Sequence, residues 1–271
     1  MVVARDIAEK TRGNLISIPS VMNKDRMRTD ADVIGVVFPV YGIFRIPYIV
    51  QRFVPKLGDL SSKYIFAVST YGSMAGGALK TFGKTVESCG GRLSAGFSVK
   101  MPVNNISLPS LVYSGTIGDK ERKSFANWRK RLDYVCEYVG ARKEGKFEVS
   151  NRLAVSLLYP LDRYYGRWRI ESKYNKLTNS HLKTDELWPL MDVSLHSDEK
   201  CDGCGICSRI CPVNNIKMVD HAPEWQHRCE RCMACLQWCP KEAIQFEKVS
   251  IGRKRYHHPD VELADMLKAK D

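Results

Sequence analysis

Cys201-Asp202-Gly203-Cys204-Gly205-Ile206-Cys207, followed by Cys211-Pro212, is the stretch that decides what this chain can be. Twenty-eight residues later the pattern returns as Cys229-Glu230-Arg231-Cys232-Met233-Ala234-Cys235, followed by Cys239-Pro240. The trailing isoleucines Ile216 and Ile244 share the same offset. A constant offset marks an internal duplication and predicts two halves related by an approximate two-fold axis.

The spacing has a chemical reason. A cubane iron–sulfur cluster needs four thiolates at the corners of a tetrahedron. Three cysteines at two-residue gaps wrap one loop around three irons, and the fourth, ahead of a proline, turns away to ligate the other cluster. The pattern therefore predicts two [4Fe–4S] clusters ligated crosswise. Cys201, Cys204, Cys207 and Cys239 would hold one; Cys229, Cys232, Cys235 and Cys211 would hold the other. Gly203 and Gly205 let backbone N–H groups approach sulfide. Ile206, Met233, Ile216 and Ile244 are expected to keep water away. Zinc competes for paired C-x2-C motifs, but four ligands at two pairs satisfy it, and tandem triplets with Cys-Pro outliers have no use in that scheme. Cys89 and Cys136 lie outside both runs and are expected to be buried apolar side chains.

Bulk properties agree with a reducing compartment, and a cytoplasmic location is expected. Ten cysteines in 271 residues do not describe a small disulfide scaffold, and eight of the ten fall between Cys201 and Cys239. Arg5, Asp6, Glu9 and Lys10 leave no apolar signal core at the start. The longest apolar stretches, Val33 to Phe38 and Leu153 to Tyr159, are too short to span a bilayer. The formal charge of +12 is uneven: residues 120–183 hold sixteen basic and seven acidic side chains, whereas residues 196–250 hold seven and eight. A solvated basic helical face explains the excess more simply than an acidic or nucleic-acid partner.

Upstream, apolar runs alternate with helical stripes. Val2 to Arg12 has helix character with Gly13 as a stop. Asn14 to Pro19 predicts a short strand. Val33 to Phe38 predicts a strand buried on both faces, and Tyr64 to Val68 a second. Ile46 to Phe53 and Gly76 to Ser88 are helix-like, and Leu93 to Met101 predicts a further strand. This alternation predicts a parallel α/β sheet. Phe125, Trp128, Leu132, Val135 and Val139 follow helical spacing. The predicted organisation is an α/β domain at 1–119, a basic, mainly helical connector at 120–190, a cluster domain at 191–250 opening on a strand at Asp192 to Ser197, and a polar tail at 251–271, helical after Pro259.

The portion 191–250 resembles bacterial two-cluster ferredoxins, with a small α+β fold. That resemblance implies one-electron transfer with every iron ligated by protein and no open site for a substrate. The whole chain resembles the flavodoxin–ferredoxin fusion proteins of anaerobic bacteria and archaea. The segments that carry this are Val36-Val37-Phe38-Pro39-Val40-Tyr41, Thr70-Tyr71-Gly72, Lys100-Met101-Pro102-Val103-Asn104-Asn105, the cysteine runs and Arg255-Tyr256-His257-His258-Pro259. The family implies a doubly wound parallel sheet with FMN held by the loops 39–47 and 70–77. Pro39, Val40, Tyr41, Gly42, Ile43, Thr70, Tyr71, Gly72 and Gly76 are the implied contacts; from composition alone the same loops are ordinary strand-to-helix turns. One departure weakens FMN binding. Flavodoxins open with a strand and a phosphate loop, and Met1 already stands in the helix that follows them. In the order 2-1-3-4-5 that strand is the neighbour of Asn14 to Pro19. A fragment or misassigned start, a domain retained as a scaffold, or a strand donated by another chain would each explain it, the first best. This form is expected to bind FMN weakly or not at all.

Two redox functions follow. The chain is an electron carrier between partner proteins, or a flavin-dependent reductase fed by its own ferredoxin domain. No catalytic acid can be named, which favours the carrier. His257 and His258 are candidates only by default and are expected to be solvated tail residues. Trp128, Tyr164, Tyr165 and Trp168 among basic residues could stack on single-stranded nucleic acid, but the cysteine runs argue for redox work instead.

Overall fold

A computed structural model describes residues 1–270 except 28, 42–44, 104–105, 107–118, 149–156 and 158–159, with the backbone alone at 119–124 and 162–163. The chain divides into two compact units: residues 1–103 with 117–159, and residues 104–116 with 160–271.

The first unit is an α/β layer structure. Helix α1 (Val2–Thr11) and the short α2 (Ile18–Val21) precede strand β1 (Val33–Pro39), α3 (Tyr48–Phe53), β2 (Tyr64–Tyr71), α4 (Ala78–Glu87), β3 (Leu93–Lys100) and the long α5 (Asp119–Gly140). The three strands are parallel in the order β1-β2-β3. β2 is buried through its first six residues, as its apolar run predicts. Adjacent residues of β3 face opposite ways. A Cβ on Gly96 would meet Leu79 of α4 at 3.2 Å, while the Phe97 ring meets Tyr134 and Tyr138 of α5 edge-on. Helices therefore cover both faces of the sheet. The stripe Phe125, Trp128, Leu132, Val135 and Val139 is buried, so α5 of the basic segment belongs to this layer. Burying each such side chain stabilises by roughly 1.5–3 kcal/mol. Trp128 is 2% exposed and presents no ring for stacking on a nucleic acid.

Three expectations fail here for physical reasons. Residues 14–17 form no strand, and Ile18–Val21 is a helical turn with Pro19 in its first turn. Among the described residues nothing pairs with the segment, and Leu15 and Ile16 are left exposed. β1 forms, but only Val36 and Phe38 are buried. Among the described residues it pairs with β2 alone, and a strand at the edge is covered on fewer sides than a central one. Helix α1 itself stops where expected: it ends at Thr11, Arg12 caps it in the left-handed region (φ 54°), and Gly13 N–H closes the end on Ala8 O at 2.8 Å. Cys89 and Cys136 are half-buried, not core.

The second unit contains α6 (Arg167–Thr178), α7 (Thr184–Leu187), a 3₁₀ turn (Trp188–Ser194), β4 (Leu195–Ser197), α8 (Ile206–Ile210), β5 (Ile216–Val219), β6 (Ala222–Trp225), α9 (Ala234–Gln237), β7 (Ile244–Phe246) and α10 (Leu263–Lys268). β4 pairs antiparallel with β7, and β5 with β6. Its core joins Leu195, Ile210, Ile216, Leu236, Ile244 and Phe246. Among the described residues no helix is long and apolar enough to cross a membrane.

Candidate functional site

The duplication in the sequence is a duplication of backbone. Gly203 and Gly205 take positive φ of 73° and 70°; Arg231 and Met233, their counterparts, take 54° and 57°. Each loop then opens a short helix, closed by Arg209 N–H to Gly205 O in one half and Gln237 N–H to Met233 O in the other. After each Cys-Pro a left-handed residue turns the chain, Asn214 (φ 53°) and Glu242 (φ 50°). The next N–H donates to sulfur: Asn215 to Cys211 Sγ at 3.2 Å, Ala243 to Cys239 Sγ at 3.3 Å. The strands exchange between halves, because β4 is the counterpart of β6 and β5 of β7, and each pairs with a strand of the other half.

Cys201, Cys204, Cys207 and Cys239 line one recess with Gly205, Ile206, Met218, Pro223, Pro240, Lys241 and Ile244. Three ligand candidates from the first run and one from the second thus meet. Cys204 is exposed, Cys201 and Cys239 are half-buried and Cys207 is buried. Burial, with Cys204, Cys239 and Cys201 nearby, pushes the Cys207 thiol up to about 11. In the second set Cys211 and Cys235 are buried, and Cys229 and Cys232 keep only part of their surface. Burial pushes Cys232 up to about 12, and the nearby Cys211 adds to the rise. It pushes Cys229 and Cys235 up strongly, each in reach of Cys232 and Cys211. Such thiols hold their protons until a cationic centre replaces them. Arg231 N–H donates to Cys229 Sγ at 3.2 Å. A soft, all-sulfur donor set with backbone N–H groups aimed at the sulfurs fits an iron–sulfur group. Among the described residues no three His, Cys, Asp or Glu side chains form a ready site for a single metal ion.

A family model for the 4Fe–4S binding domain matches residues 196–217, which hold Cys201, Cys204, Cys207 and Cys211. The C-terminal unit carries a 4Fe–4S binding domain. Over 79 residues, 29% of its length, the chain is 30% identical to one subunit of the ion-translocating oxidoreductase complex of Methanosarcina acetivorans. The match spans only 28% of that relative's length. No solved structure matches the chain. Together these findings support iron–sulfur electron transfer.

Two parts of the 4Fe–4S domain are not foreseeable from the cysteine pattern. The first is the turn Trp188–Ser194, which covers the second cysteine loop. Cys229 N–H donates to Pro189 O at 3.1 Å, and the Arg231 guanidinium lies over Trp188 at 5.1 Å and Phe246 at 5.8 Å. The buried Asp192 carboxylate accepts from Asn215 Nδ2 at 2.9 Å and from His227 N–H at 3.0 Å, and its other oxygen pairs with His227 Nδ1 at 2.7 Å. The second part is the tail. His258 is 8% exposed, so it is not a solvated residue. His257 stays exposed but stacks on Trp238, with ring centroids 3.9 Å apart. The Trp-Pro-Leu-Met-Asp run ahead of the first cysteine is the signal for the turn; the tail offers none beyond its unusual Arg-Tyr-His-His-Pro string.

The loops implied for FMN gather at the carboxyl ends of the parallel strands. Val40 N–H donates to Thr70 O at 2.8 Å, and Met101 N–H to Tyr71 O at 2.8 Å. Tyr41 and Arg45 bridge the loop after β1. Gly42 and Ile43 lie outside the described residues, as do Asn104 and Asn105. A Cβ on Gly72 would stand 2.8 Å from Val103 Cγ2, so close packing against Val103 accounts for that glycine. Gly76 has a positive φ of 56°, and Pro39 ends β1.

Proposed function

We propose that this chain is an electron-transfer protein that binds two [4Fe–4S] clusters crosswise, through Cys201, Cys204, Cys207 and Cys239 and through Cys229, Cys232, Cys235 and Cys211. The observation that carries the reading is the meeting of Cys239 from the second run with three cysteines of the first in one recess. The clusters supply one-electron storage when bound. The chain's own part is to hold and tune them. Asn215, Ala243 and Arg231 N–H groups favour thiolate over thiol. Ile206, Met218, Pro223 and Ile244 limit water at the first site. Exposed Cys204 brings that site closest to solvent, where a redox partner protein can reach it. The likeness to one component of an oxidoreductase complex supports such a partner. A cytoplasmic, reducing setting suits ten cysteines that form no disulfide.

The α/β unit is read as a flavodoxin-like scaffold of the fusion type. Its order β1-β2-β3, with helices on both faces, supports this. Anaerobic analysis of iron, acid-labile sulfide and flavin per chain tests the whole reading. About eight irons and eight sulfides per chain are expected. Zinc in place of iron overturns the redox assignment, and flavin at one per chain would make the α/β unit an FMN carrier.

A further inference from the structure

The two Cys-Pro turns each carry an arginine, but from different sources. In the half with Cys211, Arg228 Nη2 donates to Asn214 O at 3.1 Å. In the half with Cys239 the equivalent carbonyl is Glu242 O. It accepts from Arg255 Nη2 at 3.3 Å, and the same nitrogen reaches Ile244 O at 3.0 Å and Gln245 Oε1 at 3.2 Å. Arg228 belongs to the repeat and is exposed, whereas Arg255 comes from the tail and is half-buried. The tail is pinned where Arg255 enters. Tyr256 N–H donates to Gln237 Oε1 at 2.8 Å, His257 stacks on Trp238, and Arg253 Nη1 reaches Ile106 O at 3.4 Å. Gln237 and Trp238 immediately precede Cys239, so the tail is strapped to the backbone that presents that sulfur.

Arg255 Nε and Nη1 are buried and have no hydrogen-bond partner among the described residues. Burial lowers the affinity of the guanidinium for its proton; Glu242, Cys239 and Asp198 act on it in the opposite sense. The group nonetheless stays charged in any ordinary solution. A cation with unused donors, in electrostatic reach of one cysteine set, is costly to bury unless something negative faces it. Four thiolates on a cubane core carry about −2, and one electron makes that more negative. We propose that Arg255 is a tail-borne counter-charge for the site of Cys201, Cys204, Cys207 and Cys239, raising the reduction potential of that site alone. One electron from a reduced redox protein enters the site and no proton moves at Arg255. The inference rests on the two-cluster reading.

The test is a potentiometric titration followed by electron paramagnetic resonance on the full chain, with iron counted in each variant. Arg255→Gln is expected to keep both clusters and to move one midpoint to more negative values while the other stays. The midpoint that moves is the one perturbed by Cys204→Ser. Arg255→Lys, which keeps the charge, stays near the unaltered protein. If Arg255→Gln loses one cluster, retention of that cluster at an unshifted midpoint in Arg255→Lys still supports the counter-charge. Loss in both variants makes Arg255 a packing strut and overturns it. Unmoved midpoints, equal shifts of both, or a shift confined to the site insensitive to Cys204→Ser also overturn it. An unaltered protein with fewer than two clusters sinks the parent reading instead.

Discussion

Gly203 and Arg231 stand at the same point of the duplicated backbone, and their surroundings are opposite. At Gly203 a Cβ would press to 2.9 Å from both His221 Cβ and His221 O, so the first loop is stripped to backbone there. At Arg231 the side chain is the cover: it lies over Trp188 and Phe246, and its Nη1 meets Met191 Sδ at 3.0 Å. The first set keeps an exposed cysteine, while the second has two buried ones. Duplication thus sets how sulfur is presented, and the side chains that differ between the halves, together with the turn Trp188–Ser194, set how dry each site is. On the proposed function, the open site exchanges electrons with partners and the covered site stores them.

The largest effect expected is from removing the ligand that each half lends to the other. Cys239→Ala should remove the cluster of the first run and Cys211→Ala that of the second. In each case iron per chain falls from about eight to about four. A Cys239→Ala protein that instead loses the second-run cluster breaks the crosswise assignment. Next comes Gly203→Val. A branched side chain at φ 73° with backbone 2.9 Å away should cost on the order of 1–3 kcal/mol in chemical denaturation and impair the first site. Arg231→Gly at the matching position relieves its own positive φ but uncovers the second site. Air-oxidation of that site should speed up, while stability falls by about 1–2 kcal/mol. Equal oxidation of both sites would erase the distinction between open and covered halves.

A smaller effect is expected from pH. Glu247 ties the cover together: it pairs with Lys173, accepts from Ser194 Oγ at 2.7 Å, and its N–H donates to Ser194 O at 2.8 Å. Burial alone would raise its pKa, but the bonds from Lys173 and Ser194 outweigh burial and hold it below the usual value. A depressed carboxylate stabilises the fold above the unfolded value of about 4.3, and that contribution fades as pH falls through the folded pKa. Part of the pair is solvent-screened, so the effect is under about 1 kcal/mol. Glu247→Gln should flatten the acid side of a stability–pH curve below about pH 5; an unchanged acid limb contradicts the role.

What is legible in the sequence is whatever depends on local pattern. β2, β3 and α4 follow their apolar runs, and the cysteine loops follow their spacing, because both signals lie within a few residues. The failures depend on neighbours far along the chain. Val33 to Phe38 and Tyr64 to Val68 look alike as strings, yet among the described residues one stands at an edge and the other is central. Asn14 to Pro19 has strand-like residues and no strand to pair with among the described residues. His258 looks like a solvated tail residue, because nothing local reveals that Tyr256 and His257 dock on Gln237 and Trp238. Asp192 reads as the start of a strand, and its partners Asn215 and His227 are more than twenty residues away.

The crosswise ligation can be seen in an anaerobic crystal structure with iron anomalous scattering. Two iron groups are expected, one among Cys201, Cys204, Cys207 and Cys239 and the other among Cys229, Cys232, Cys235 and Cys211. Iron groups that pair each Cys-Pro cysteine with its own run, or a single metal ion at either loop, would contradict it.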